Sequence, residues 1–156
     1  MSIGHRLVDG VHHVAHLVRR FAGALSRTPP ATEDAQWAES QLLDHEVALW
    51  RRFGVADQRH SITVARRFET IRPSTTRAEL AGALLHDIGK LDSGLGTFGR
   101  VAATIVGPRT DRFRRYADHE EIGATWLDEA GSDPVTVELV RSEGPAAADL
   151  HAADHL

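Results

Sequence analysis

Residues 76–90 of the chain read TRAELAGALLHDIGK. Thr76 and Glu79 have the spacing of a capping box, which predicts that a helix begins at this point. The run that follows is almost wholly apolar up to Leu85, and such a run is typical of a helix that is buried in a core. The sequence therefore places a core helix near the middle of the chain.

The end of this helix carries two ionisable residues, His86 and Asp87, which are followed by Gly89. Adjacent residues on a helix point about 100° apart, so this pair can bind the same metal ion only near a helix end. Gly89 supplies that end. Burying both groups beside leucines is costly unless something compensates them. A divalent cation would compensate both, so the pair is a candidate metal site.

The rest of the chain also has helical periodicity, and no strand-like alternation or hairpin signal competes with it. We expect one all-α domain, a helical bundle of about seven or eight helices. The predicted helices cover approximately residues 3–25, 33–53, 57–72, 77–85, 98–106, 119–130, 134–143 and 146–156.

Composition excludes several classes of protein. The chain has 156 residues, of which 42% are hydrophobic and 26% charged, which fits one globular domain and argues against disorder. It has no cysteine, which excludes disulfides, thiolate metal sites and cysteine nucleophiles and suits a reducing compartment. We therefore expect a cytoplasmic protein. No apolar run reaches the ~18 residues of a membrane span, and the net charge of −4 gives no clear sign of nucleic-acid binding.

The N-terminal helix has three interpretations. Its apolar stripe is bordered by arginines and histidines, which is compatible with a helix lying on a membrane surface. His12 and His16 stand one helical turn apart and would allow a metal site. The favoured interpretation is a helix docked on the core or on a partner chain, which would allow a homo-oligomer. A signal peptide is disfavoured because charged residues interrupt the apolar segment.

Four sequence elements, taken in order, resemble the HD superfamily of metal-dependent phosphohydrolases. These elements are His60 in RHSITVA, the pair His86-Asp87 in HDIGK, His119 in HEEIGA, and Asp154 in Ala153-Asp154. The HDIGK element is the most specific of them. The resemblance covers about residues 57–156, whereas residues 1–56 match no pattern of that family.

The resemblance implies that His60, His86, Asp87 and Asp154 bind one divalent metal ion. Such a mixed nitrogen and oxygen donor set suits Mn²⁺, Fe²⁺, Co²⁺, Ni²⁺ or Mg²⁺ and does not choose among them. The implied activity is hydrolysis of a phosphomonoester or phosphodiester, expected to be a nucleotide, by a metal-activated water. Residues 1–56 would then be N-terminal helices packed on or extending an HD-type metal-binding domain of residues 57–156.

Three residues acquire catalytic roles from the same resemblance: Asp87, Lys90 and His119. Lys90, the only lysine of the chain, would contact the substrate phosphate, with a solvated surface lysine as the alternative. His119 would donate a proton or contact phosphate, with a histidine that merely caps a helix as the alternative. Residues 137–143 lack the histidines of a two-metal site, so we favour one metal ion.

The sequence leaves alternatives for the last metal ligand and for the function. Asp149 is an alternative to Asp154 as the last ligand, since Asp154 lies where helices fray, but the match of Ala153-Asp154 favours Asp154. The function also has alternatives. One is a catalytically inactive HD-fold regulatory module that binds a nucleotide or a protein partner. Another is an iron oxygenase, which the missing histidines disfavour because it needs two metal ions.

Overall fold

The computed structural model describes residues 27–93 and 118–156. All regular structure in these two ranges is helical, which confirms the predicted all-α fold. The α-helices are α1 (Thr32–Ser40), α2 (Asp44–Trp50), α3 (Val55–Ile71), α4 (Arg77–Leu85), α5 (His119–Ala130), α6 (Pro134–Val140) and α7 (Ala147–His155). A 3₁₀ helix, Ile88–Ser93, follows α4. The helices predicted near residues 3–25 and 98–106 lie outside the described residues.

The prediction of one helix over residues 33–53 is wrong, because the structure has two helices there. Leu43 is extended, and its amide donates a hydrogen bond to the carboxylate of Glu46 at 2.8 Å, so a new helix begins at Asp44. Neither glycine nor proline marks this break, and the apolar periodicity continues across it. The pattern therefore predicts one continuous helix where a side-chain cap divides it.

The predicted start of α4 is confirmed in detail. The amide of Thr76 donates to Glu79 Oε2 at 2.8 Å, and the amide of Glu79 donates to Thr76 Oγ1 at 3.2 Å. Every residue from Glu79 to Leu85 is buried. Helix α4 packs against α3 on one side and α6 on another, so it is the central helix of the bundle.

One hydrophobic core joins the described helices. The segment before α3 belongs to it, since Ala38, Leu42, Trp50 and Phe53 are buried in the same cluster as the leucines of α4. The indole of Trp50 donates to Ser61 Oγ on α3 at 2.9 Å, so even its polar atom is satisfied inside the core. Helices α1 and α2 and the residues that follow them therefore contribute to the same core.

Two packing relationships position the ends of the bundle. Helix α7 lies against α3, and the 3₁₀ helix lies against α5. Helix α6 ends at Val140, earlier than the prediction of 143, and Ser142 adopts a left-handed conformation with φ of 61°. No helix in the described ranges has the length and hydrophobicity that a membrane crossing requires.

Candidate metal centre

Three predicted ligands come together from three different helices. His60 lies on α3, His86 directly follows α4, and Asp154 lies in the last turn of α7. One ligand atom of each residue lies within 4.8 Å of the corresponding atoms of the other two. Two ligands on opposite sides of an ion are about 4.2 Å apart when each bond is about 2.1 Å long. Small side-chain movements would therefore let all three bind one cation.

The orientation of His86 suits a metal ligand. Its Nδ1 lies 2.9 Å from the carbonyl oxygen of Ala83, one turn earlier in the chain. A carbonyl oxygen only accepts hydrogen bonds, so Nδ1 carries the hydrogen and Nε2 has a free lone pair. Histidines that bind metals usually donate their other ring N–H to a carbonyl or carboxylate in this way.

Two buried atoms of this group lack hydrogen-bond partners in the described part of the chain: His86 Nε2 and Asp154 Oδ1. They lie 3.9 Å apart. His60 Nε2 lies 2.9 Å from the same oxygen, so an ion pair forms there when the imidazole is protonated. An unsatisfied buried polar group costs about 1–3 kcal/mol. A cation between the three side chains would satisfy both atoms, so these residues fit a metal ion.

Asp87, the fourth predicted ligand, lies beside the close group and not within it. Its Oδ1 is 3.5 Å from His86 Nε2 and 3.6 Å from His119 Nε2. Its Oδ2 accepts a hydrogen bond from Lys90 Nζ at 2.6 Å. The Asp87 carboxylate therefore connects the close group to both Lys90 and His119, the other two residues that the sequence assigns to the site.

The surroundings keep both carboxylates of the site ionised. Burial raises the pKa of Asp87, but the neighbouring His86, Lys90 and His119 lower it further, so the pKa lies far below its usual value. Burial likewise raises the pKa of Asp154, and the neighbouring His60 and His86 lower it to well below the usual range. Carboxylates bind cations in the ionised form, so both groups are ready to serve as ligands.

A close backbone contact brings His119 to the site. A Cβ atom added to Gly89 would overlap the carbonyl oxygen of His119 and would lie 2.6 Å from the amide nitrogen of Gly123. Only glycine at residue 89 lets the 3₁₀ helix approach the first turn of α5 this closely. The sequence predicts Gly89 only as a helix end and gives Gly123 no role. The repeated Ile-Gly pairs at 88–89 and 122–123 are the one sequence signal of this close backbone contact.

Asp149, the alternative ligand, is occupied elsewhere. Its Oδ2 accepts a hydrogen bond from Arg72 Nη1 at 3.2 Å, and it does not belong to the close group of ligand atoms. The structure therefore places Asp154 at the site. The other metal site considered, His12 with His16, lies outside the described residues.

No family model, curated protein or solved structure matches this chain. The resemblance to the HD superfamily therefore rests on the residues quoted above.

Proposed function

We propose that the protein is a metal-dependent phosphohydrolase whose centre consists of His60, His86 and Asp154, with Asp87 beside them. The observation that carries the proposal is the convergence of His86 Nε2 and Asp154 Oδ1, two buried atoms without hydrogen-bond partners among the described residues. Without a cation, His86 Nε2 stays unsatisfied inside the protein, at a cost of about 1–3 kcal/mol. A bound cation would form bonds to both atoms and so remove that cost.

The donor set favours a borderline or hard divalent ion. Two imidazoles with one or two carboxylates suit Mn²⁺, Fe²⁺, Co²⁺, Ni²⁺ or Mg²⁺ and do not fill an octahedral shell. When bound, such an ion supplies Lewis acidity that polarises a phosphoryl oxygen and lowers the pKa of water. Asp87 lies next to the three ligands, with its Oδ1 3.5 Å from His86 Nε2, and its negative charge favours a cation at the centre.

Lys90 and His119 complete the chemistry next to the ligands. Lys90 is held by the Asp87 carboxylate at 2.6 Å and supplies a fixed positive charge, which binds a phosphate oxygen and stabilises charge that develops on it. His119 Nε2 lies 3.6 Å from Asp87 Oδ1, on the other side of the same carboxylate. It protonates the leaving oxygen of the ester.

The substrate class is a phosphomonoester or phosphodiester, with a nucleotide expected from the family resemblance. The test starts from the purified full chain, treated with chelator and reloaded separately with each of the five candidate ions. Release of phosphate or of nitrophenol is then measured with aryl phosphate mono- and diesters and with a panel of nucleotides. We expect turnover that depends on the added metal.

Variants make this test specific. His86→Ala and Asp154→Ala should lose turnover and metal together. His45→Ala is the matched control, because His45 is also partly buried but contacts Ser132 Oγ at 3.2 Å, not the metal centre. Full activity in the first two variants, or no turnover with any ion, would contradict the proposal. Nucleotide binding without turnover would favour the regulatory module instead.

A further inference from the structure

Away from the metal centre, one guanidinium joins three helices. Arg72 directly follows the last residue of α3. Its Nε donates to Glu79 Oε1 at 3.0 Å, and its Nη1 donates to Asp149 Oδ2 at 3.2 Å. Glu79 lies in the first turn of α4 and Asp149 in the first turn of α7. Arg72 therefore links one end of each of these helices.

The same three helices carry the three close ligands. His60 lies on α3, His86 follows α4, and Asp154 lies on α7. At 1.5 Å per residue, Arg72 is about 18 Å from His60 along α3, and Asp149 is about 7.5 Å from Asp154 along α7. We call Arg72, Glu79 and Asp149 together the clamp. The clamp and the metal centre thus lie at different positions along the same three helices.

Helix α7 depends on polar contacts because it buries little apolar surface. Leu150 and Ala153 are its only buried residues, and Ala146 is buried just before it. One leucine and two alanines provide a small hydrophobic contribution to docking. Besides the Arg72–Asp149 pair, α3 reaches α7 through Arg67 Nη1, which donates to the carbonyl oxygen of Ala153 at 3.4 Å, and through His60 Nε2, which lies 2.9 Å from Asp154 Oδ1.

We propose that Arg72 is a positioning residue for the metal centre, which holds α7 docked through Asp149 and thereby keeps Asp154 within reach of His60 and His86. The inference rests on the proposed function, since it requires a metal ion at that centre. When only part of the molecules have α7 docked, the apparent dissociation constant for the metal rises in inverse proportion to that fraction. Breaking the clamp therefore weakens metal binding from a distance.

The first experiment measures Mn²⁺ binding to the full chain by calorimetric titration. Asp149→Asn removes one charge of a partly exposed ion pair, which makes undocking of metal-free α7 about fivefold more favourable, so Mn²⁺ should bind measurably more weakly, by up to about fivefold. Arg72→Lys should have a similar effect, because lysine keeps the charge but lacks the forked donors that reach two carboxylates. Glu39→Gln is the matched control, since it breaks another exposed ion pair, Arg51–Glu39 at 2.7 Å, outside the three helices.

A double-mutant cycle separates positioning from general destabilisation. In the Asp154→Ala background, titrated at Mn²⁺ concentrations high enough to measure the weak binding left to His60 and His86, Asp149→Asn should weaken Mn²⁺ binding no further, because the side chain that it positions is gone. An equal loss in that background would overturn the inference. Unchanged Mn²⁺ binding in Asp149→Asn would also overturn it, while leaving the metal centre intact.

A second measurement does not need the metal. Hydrogen exchange of residues 147–156, read by mass spectrometry on metal-free protein, should be about fivefold faster in Asp149→Asn and unchanged in Glu39→Gln. Equal exchange in Asp149→Asn and wild type would overturn the clamp. If instead wild type and His86→Ala bind Mn²⁺ equally, the proposed metal centre is wrong, and faster exchange still reports that Arg72 holds α7.

Discussion

His86 donates its Nδ1 hydrogen to the carbonyl oxygen of Ala83 at 2.9 Å, and this bond turns the opposite ring nitrogen toward Asp154. The backbone of α4 thereby fixes both the tautomer and the direction of the imidazole. Because Nε2 has no hydrogen-bond partner within the described residues, the arrangement is satisfied only when something binds that lone pair.

Metal binding should stabilise the protein through His86 and Asp154. A ligand at 100 times its dissociation constant stabilises a fold by about 2.7 kcal/mol, which raises Tm by about 5–10 °C in a domain of this size. We expect this shift when Mn²⁺ is added to chelator-treated wild type, followed by thermal unfolding. His86→Ala and Asp154→Ala should show little shift. An equal shift in these variants would place the ion elsewhere.

Gly89→Ala should destabilise the junction of the 3₁₀ helix with α5. Its Cβ would overlap the His119 carbonyl, so the two backbones must separate, at a cost of about 1–3 kcal/mol. Gly54→Ala is the matched control, because its Cβ would meet only Asp57 Oδ2 at 3.8 Å, an ordinary contact. Urea unfolding should separate the two variants clearly. Equal stability would contradict the close contact.

Lys90→Gln should reduce turnover without releasing the metal. The lysine contacts Asp87 Oδ2 and not the three close ligands, so its loss removes charge stabilisation and leaves the ligands in place. Loss of one such electrostatic contact lowers kcat by about 10²-fold or more. Steady-state kinetics and elemental analysis on the same sample check both parts. Full turnover, or loss of the metal, would show that Lys90 has a different role.

The charge of Glu79 should make stability depend on pH. Burial raises the pKa of Glu79, but its bonds to the Thr76 amide and to Arg72 lower it further, to below the ordinary 4.5. A folded-state pKa below the unfolded one means that the ionised group stabilises the fold above pH 4.5, and that this contribution is lost as the pH falls through the folded value.

Glu79→Gln isolates this charge, because glutamine also forms a capping box. The variant should unfold at lower urea concentration than wild type near neutral pH, and the difference should shrink progressively below pH 4.5. A difference that stays constant as the solution is acidified would mean that the Glu79 charge contributes nothing.

The sequence predicts local structure best where one short pattern decides it. Thr76 and Glu79 determine the start of α4, and α5 covers residues 119–130 as predicted, because capping and apolar periodicity act within a few residues. The break at Leu43 escapes prediction because it depends on one side chain, Glu46, folding back onto the backbone.

The site is predictable only in part for the same reason. The ordered histidines and aspartates identify His60, His86 and Asp154, which the structure brings together. The pairing of Asp149 with Arg72 joins residues 77 positions apart, and neither residue type in isolation indicates the contact. That relationship exists only once α3 and α7 are packed. Sequence reasoning therefore leaves Asp149 open as a ligand.

Anomalous diffraction at the manganese edge, from crystals of the full chain grown with Mn²⁺, would locate the ion directly. We expect one anomalous peak at bonding distance from His60 Nε2, His86 Nε2 and Asp154 Oδ1. Crystals of His86→Ala grown in the same way should lack it. A wild-type map without a peak between these three side chains, or with the ion bound only at other residues, would show that they do not form a metal centre.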